Sequence, residues 1–298
     1  MTAPHTGTAV ADLVLRAPAV DEPADLDALR SALRALGDVV VAFSGGADSA
    51  FLAHVATDTL GMDHVLCVTA VSPSLAPEEL ADCRALAAEW DLRHLEVATD
   101  ELADPAYRAN DGSRCYHCKA SLMGALGPVS TTAGPGATVV LGVNLDDLAD
   151  HRPGQTAAAE RGAVFPLVTA GFTKADVRQW SRRLGLRTWD KPAAACLASR
   201  VPYGTRVTFT TLDSVARAES GLRGLGFRQL RVRHYGDTAR IEVPEADLAD
   251  VVARRDAVSD VVHAAGYRYV TLDLDGFRSG NLNDSLTEGG HRTTEETP

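Results

Sequence analysis

Several features that would quickly narrow the function are missing from this sequence. No apolar run approaches the roughly eighteen residues needed to cross a bilayer. The first residues hold neither a basic segment nor a hydrophobic core of the secretory kind, so a cytoplasmic protein is expected. Positive charge is in deficit: 29 Lys and Arg stand against 40 Asp and Glu, a net charge of −11. Such a surface repels a nucleic-acid backbone on average, which argues against a nucleic-acid partner. The Gly-x-x-x-x-Gly-Lys-Ser/Thr loop is absent, and with it the usual signature of γ-phosphoryl transfer. No second Cys-x-x-Cys and no spaced His pair completes a zinc site, and no internal repeat is visible. Five cysteines, an odd number, do not make a disulfide framework in a cytoplasmic chain; they point to metal, cluster or catalytic use.

What is present organises itself around Val39-Val40-Val41-Ala42-Phe43-Ser44-Gly45-Gly46-Ala47-Asp48-Ser49. A buried strand stops abruptly in a small polar turn, and a helix follows through Ala50-Phe51-Leu52-Ala53. Ser44 and Ser49 hydroxyls, loop amides and the helix N-terminus all offer hydrogen bonds or positive partial charge to an anion. Gly45 and Gly46 let the backbone turn sharply and approach it.

The 298 residues, 45% of them hydrophobic, suffice for one large or two ordinary domains. Residues 1–23 lack periodicity and read as a flexible lead-in. Leu26, Leu29, Leu33 and Leu36 follow helical spacing, closed by Gly37. Strands are expected at His64 to Val71, Arg93 to Val97 and Ala137 to Val143, with a helix from Pro77 to Trp90. This alternation predicts an α/β fold with a doubly wound, mostly parallel sheet over residues 24–199, whose ligand binds beyond the carboxyl ends of the strands, near Ser44, Gly45, Gly46 and Asn144. A helix capped by Thr173 runs to Leu184, and residues 193–208 read as irregular. Helices over Thr211 to Gly224 and Ala246 to Ala265, with strands at Gln229 to His234, Ala239 to Val243 and Arg268 to Leu274, predict a smaller α+β domain over residues 200–286. The tail, 287–298, is polar and reads as disordered.

Three groupings could carry chemistry. Cys115-Tyr116-His117-Cys118 can bind zinc, hold an iron-sulfur cluster or cycle as a redox dithiol, and Cys196 sits beside basic residues that favour a thiolate. With Cys115 and Cys118 it could supply three thiolates to a four-iron cluster; Cys67 and Cys83 fit a buried filler role better. Arg231 and Arg233 share one strand face, which suits bidentate binding of phosphate or carboxylate, though a solvated strand face looks the same in sequence. Asp146, Asp147 and Asp150 could hold magnesium around pyrophosphate, but Asp is also an ordinary helix-start residue.

The loop Ser44-Gly45-Gly46-Ala47-Asp48-Ser49 resembles the PP-loop of the N-type ATP pyrophosphatases, which cut ATP between the α- and β-phosphates. Together with Arg114-Cys115-Tyr116-His117-Cys118-Lys119, Asn144-Leu145-Asp146-Asp147, Arg152-Pro153-Gly154, Trp189-Asp190-Lys191-Pro192, Cys196-Leu197-Ala198-Ser199-Arg200, Arg231-Val232-Arg233 and Gly276-Phe277-Arg278-Ser279-Gly280, it resembles the LarE family of ATP-dependent sulfur transferases. That resemblance implies ATP and Mg2+ as cofactors and adenylylation of a carboxylate of a pyridinium dicarboxylic acid mononucleotide. Sulfur then displaces AMP on the way to the nickel-pincer nucleotide of lactate racemase. It implies pyrophosphate binding by Ser44, Gly45, Gly46, Asp48 and Ser49, phosphate binding by Arg231 and Arg233, and an acid-base role for Glu219. Members with a lone cysteine at the Cys196 position form a thioester through it and end with dehydroalanine there. Cys115 and Cys118 make this chain similar to the three-cysteine subgroup, which implies a [4Fe-4S] cluster on Cys115, Cys118 and Cys196, a sulfide donor and turnover. A homo-oligomer is implied as well. Two rivals remain at this point: a PP-loop tRNA thiolase, disfavoured by the acidic charge, and a nucleotide- or metal-binding regulatory protein without turnover.

Overall fold

A strand that is apolar on both faces can only sit inside a covered parallel sheet, and the computed structural model, which describes residues 23–148 and 153–278, puts it there. The expected tail and nearly all of the lead-in lie outside the described residues, as do Asp150, Arg152, Ser279 and Gly280. Helix α1 (Leu26–Leu36) leads into β1 (Val39–Ala42), followed by α2 (Ala47–Leu60), β2 (Val65–Val71), α3 (Pro77–Glu89) and β3 (His94–Ala98). Then come α4 (Pro105–Ala109), α5 (Arg114–Ala133), β4 (Thr138–Val140), the short α6 (Leu145–Leu148), α7 (Pro153–Ala159), α8 (Pro166–Thr169) and α9 (Lys174–Arg183). The strands are parallel in the order β3-β2-β1-β4. From β1 the chain steps outward through β2 to β3, then returns to the other side of β1. The topological switch point therefore lies between β1 and β4, and the turns after these two strands flank one crevice.

Alternation along β1 divides the core. Val39 and Val41 pack with Leu29 and Leu33 of α1 and Phe51 of α2, whereas Val40 faces Met123 and Leu126 of α5. The sheet is thus helix-covered on both sides, as the alternating pattern predicts.

Strand β4 is shorter than expected. The Leu141 N–H donates to the Val164 carbonyl (3.0 Å) and the Val164 N–H to that of Val139 (2.9 Å), so the chain beyond Val140 leaves β1 for a different neighbour. His64 belongs to a turn, Met62–His64, ahead of β2. Helix α5, which carries Cys115 and Cys118, has no clear sequence signal because Pro128 lies inside it and its buried positions are sparse.

The second sheet follows α10 (Phe209–Gly224): β5 (Arg231–Tyr235) and β6 (Thr238–Glu242) form an antiparallel hairpin. After α11 (Leu248–Ala253) and α12 (Arg255–Ala264), β7 (Tyr269–Leu272) adds in parallel to β6. The single helix expected over residues 246–265 is broken at Arg254 (φ −106°, ψ 24°), whose guanidinium donates to the Leu225 carbonyl (2.7 Å) and lies over the Phe227 ring. Ala218, Leu222, Val232, Ile241 and Val262 form the core of this part.

A further apolar cluster, Tyr107, Leu197, Ala198, Val201, Val207 and Leu212, lies where the chain passes from one sheet to the other. Asn110, wholly buried, donates from Nδ2 to the carbonyls of Pro202 and Thr205, both at 2.8 Å. Arg114, at the start of α5, donates to the Ala198 carbonyl at 2.9 Å. The stretch holding Cys196 is therefore fixed from the side of the cysteine helix.

Candidate active site

Two adjoining cavities open beyond the carboxyl ends of the parallel strands. One, of about 240 Å3, lies against the loop after β1, and the other, of about 340 Å3, reaches Cys118 and Cys196.

The loop closes on its own hydroxyls. Ser49 Oγ accepts from the Ser44 N–H (3.2 Å) and donates to the Gly46 carbonyl (3.2 Å). With the Ser49 proton so used, the Ser44 hydroxyl donates to Ser49 Oγ across 3.0 Å. Gly45 adopts φ +66°, and a Cβ there would stand 2.9 Å from Cys83 Sγ. Only glycine meets both demands. Cys83 is the buried packing residue expected from the sequence, and so is Cys67.

Across the switch point, Asn144 is wholly buried and donates from Nδ2 to Asp48 Oδ1 (3.1 Å). Burial raises the pKa of Asp48, and the Asn144 hydrogen bond opposes that rise. Gly142 was not foreseen as a site residue. A Cβ on it would stand 2.8 Å from the Ser49 backbone nitrogen, so its bareness lets the turn after β4 touch the first turn of α2. Gly142→Ala is expected to destabilise the fold by about 1–3 kcal/mol through overpacking and to weaken ATP binding, measured by denaturant unfolding and calorimetric titration.

The acidic residues divide by position. Asp48 lines the loop cavity. Asp146 instead accepts from the Lys174 N–H (2.7 Å) at the start of α9. Asp147 and Asn144 hydrogen-bond each other reciprocally, through Asn144 N–H to Asp147 Oδ2 (3.3 Å) and Asp147 N–H to Asn144 Oδ1 (3.2 Å). A magnesium ion bridging phosphates usually takes only one or two carboxylates, and Asp48 is the carboxylate at the loop that fits this need.

Lys119 lines both cavities. Burial lowers its pKa, while the thiolate forms of Cys118, Cys115 and Cys196 would support its charge. It follows directly on the Cys-x-x-Cys pair, but nothing in the sequence singles out this lysine as the cation shared by the two cavities.

Cys115 and Cys118 lie on the first turn of α5, and a close approach of Gly154 in α7 packs that turn in place. Cys196 is exposed on the irregular stretch, and Cys118 lines the same cavity with it. Burial pushes the Cys118 thiol up to about 12, with Cys196 and Glu101 adding to the rise. Among the described residues no three His, Cys, Asp or Glu side chains converge to hold a single ion. An iron-sulfur cluster takes its cysteines at separate corners; Cys118 and Cys196 line one cavity, and Cys115, which does not line it, stands one turn before Cys118 on α5. His117 faces Asp104 at 2.8 Å. Glu101, 2% exposed and hydrogen-bonded to Ser74, adds a buried carboxylate to the cysteine cavity. In the metal-free protein an alkylating reagent is expected to modify exposed Cys115 and Cys196 well before Cys118, Cys67 and Cys83, as peptide mass mapping over time would read.

Cys196 is held through its backbone. The Leu197 N–H donates to the Ser74 carbonyl (2.8 Å), and Arg200 Nη1 donates to the carbonyls of Ala195 (2.8 Å) and Cys196 (3.3 Å). The same guanidinium grips Glu219 through Nε (2.8 Å) and Nη2 (3.1 Å). Glu219 also accepts from Arg223 Nη2 (2.9 Å) and from the Val232 N–H (3.0 Å), and it is wholly buried. A carboxylate with four donors on it holds the arginine that holds Cys196; it lines neither cavity.

Arg231 and Arg233 do share a face. Arg233, 2% exposed, donates from Nε to Glu242 (3.0 Å) and from Nη1 to the Ser199 carbonyl (2.8 Å), while its buried Nη2 finds no partner among the described residues. Arg231 stacks on Phe277 with 4.5 Å from guanidinium carbon to ring centre. Burial lowers its pKa, and the neighbouring Arg200 and Arg233 lower it further. Crowded guanidiniums with donors to spare make a place for an anion.

Residues 26–113, from α1 to the approach of the cysteine helix, match the NAD synthase family. The chain is 41% identical over 260 residues to the pyridinium-3,5-bisthiocarboxylic acid mononucleotide synthase of Lactiplantibacillus plantarum, spanning 87% of this chain and 94% of that one. It is 46% identical over 266 residues to an uncharacterized protein of Synechocystis sp., spanning 88% and 98%. A third relative, an uncharacterized protein of Methanocaldococcus jannaschii, is 25% identical over 241 residues.

Proposed function

We propose, because this chain belongs to the LarE family of ATP-dependent sulfur transferases, that it activates a carboxylate of pyridinium-3,5-biscarboxylic acid mononucleotide with ATP and converts it to a thiocarboxylate. One observation carries this reading: the loop cavity and the cysteine cavity share Ser44, Gly46, Ala70, Leu75, Lys119 and Leu122 as a common wall. An acyl adenylate formed over the loop therefore lies next to the cavity that Cys118 and Cys196 line.

In the first step a substrate carboxylate oxygen attacks the α-phosphorus of ATP, and the bond to the β-phosphate oxygen breaks. Charge then builds on the leaving pyrophosphate. The loop amides, the positive end of α2 and the Lys119 ammonium meet that charge, and Asp48 would hold Mg2+, which when bound would supply further positive charge for it. Arg231 and Arg233 bind the substrate's own phosphate. In the second step a sulfur nucleophile attacks the activated carbonyl carbon and AMP leaves with the bonding pair.

Cys115, Cys118 and Cys196 would hold a [4Fe-4S] cluster, which when bound would supply a position for an exchangeable sulfur atom. The half-buried Cys118 must lose its proton to become a ligand, so loading would release protons. A homo-oligomer acting in the cytoplasm, fed by a sulfide donor, completes the reading.

Incubation with ATP, Mg2+, sulfide and the biscarboxylated mononucleotide should yield AMP, pyrophosphate and a sulfur-containing product, followed by mass spectrometry. Bulk tRNA in place of the mononucleotide should take up no sulfur. Sulfur in the tRNA and none in the mononucleotide would overturn the assignment.

A further inference from the structure

An anion cradle made of backbone amides works only while the carbonyls between them point elsewhere. In the loop after β1 the Gly45 carbonyl has a partner from far along the chain: Lys191 Nζ donates to it at 3.1 Å. The same ammonium is held by Glu79 (2.9 Å) and Asp82 (2.6 Å) of α3. Arg187 in turn braces Asp82 at 2.7 Å. Lys191 is largely buried, its side chain 17% exposed, and its anchors lie on the helix whose Cys83 packs on Gly45.

We propose that Lys191 is a positioning residue that sets the direction of the Gly45–Gly46 peptide and so keeps the loop in its anion-accepting form. Among the described residues no peptide bond is cis. In a trans peptide the carbonyl and the following N–H point in opposite directions. Holding the Gly45 oxygen against Lys191 therefore turns the Gly46 N–H to the opposite side of the peptide, away from the ammonium, and Gly46 lines both cavities. Two consecutive glycines give this peptide little steric resistance to flipping. Flipped, it would present a carbonyl dipole to pyrophosphate. The positive charge of Lys191 is matched by two carboxylates, so its contribution is direction rather than net charge. The same lysine immediately precedes the exposed stretch Pro192 to Cys196, whose far end is tied by Leu197 to Ser74.

This inference rests on the reading of the loop as a pyrophosphate site, and the experiment separates the two. Calorimetric titration of the full chain with magnesium pyrophosphate is the measurement. Lys191→Met is expected to weaken binding about tenfold, as befits loss of a charge-assisted hydrogen bond, with Lys191→Arg recovering most of it. A double variant, Glu79→Gln with Asp82→Asn, releases the ammonium from its carboxylates and is expected to weaken binding too. A lysine that touched pyrophosphate directly would bind it more tightly once freed, so tighter binding in the double variant at high ionic strength, where the change in net charge is screened, overturns the inference. Unchanged affinity in Lys191→Met overturns it as well, and if that variant fails to fold the double variant still decides. Absence of pyrophosphate binding by the unaltered chain would instead remove the loop assignment itself.

Discussion

Replacing Cys196 by alanine is expected to abolish sulfur transfer, by at least about a thousandfold as for loss of a nucleophile or its ligand, while ATP-dependent pyrophosphate release persists. The two outcomes separate because the loop cavity does not include Cys196, which lines only the neighbouring one. Stability should hardly change: the thiol is exposed, and the stretch is tied down by backbone groups, through Leu197 to Ser74 and through the carbonyls that Arg200 holds. Pyrophosphate and sulfur-containing product measured on the same sample check this, and loss of both activities together would contradict the division of labour. Cys115→Ala then distinguishes two sources of sulfur. If Cys115, Cys118 and Cys196 ligate a cluster, iron content and turnover fall together. If Cys196 alone gives up its sulfur, Cys115→Ala keeps a single turnover and the spent protein has lost the mass of one hydrogen sulfide, with dehydroalanine at residue 196.

Much of the first sheet was legible because its signals are local. Val39 to Val41 form an unbroken apolar run, and Thr173 and Asp176 supply a capping box that the structure forms, with the Thr173 N–H donating to Asp176 Oδ2 at 2.8 Å. The hairpin turn at Gly236 is equally local, since a positive φ of 60° is cheap only for glycine. The partners of the site were not legible, because they come from distant sequence. Lys191 reaches Gly45 across 146 residues. Glu101, next to Asp100, reads as a solvated acid until Ser74 and the cysteine cavity are seen around it. Gly142 could have been suspected from its place directly after a strand, where close approach of another backbone is a standard reason for glycine. The aspartates after β4 looked like metal ligands because a helix start and a magnesium site draw on the same residue type. Position separates them: Asp146 accepts from the Lys174 N–H at the start of α9, while Asp48 lines the cavity.

Glu219→Ala is expected to destabilise the fold by about 3–5 kcal/mol, the cost of removing one partner from a buried ion pair. The carboxylate answers Arg200, Arg223 and the Val232 N–H at once, and its loss leaves Arg200, 6% exposed, without a counter-charge. Denaturant unfolding reads the loss directly. Glu219→Gln asks the finer question. An amide keeps the shape but offers one acceptor oxygen where the carboxylate offers two, and its amide nitrogen must face a guanidinium, so this variant should also lose stability. An acid-base catalyst would behave differently: Glu219→Gln would fold normally, lower kcat and remove one limb of the pH-rate profile. Removing both partners, Arg200→Met with Glu219→Ala, should cost clearly less than the sum of the single changes, since no unpaired charge stays buried. Sulfur transfer should nevertheless remain impaired in that double variant, because the carbonyls of Ala195 and Cys196 will have lost the guanidinium that fixes the thiol over the cavity. Stability regained without activity is the pattern that identifies Glu219 as the support of Arg200 and, through it, of Cys196.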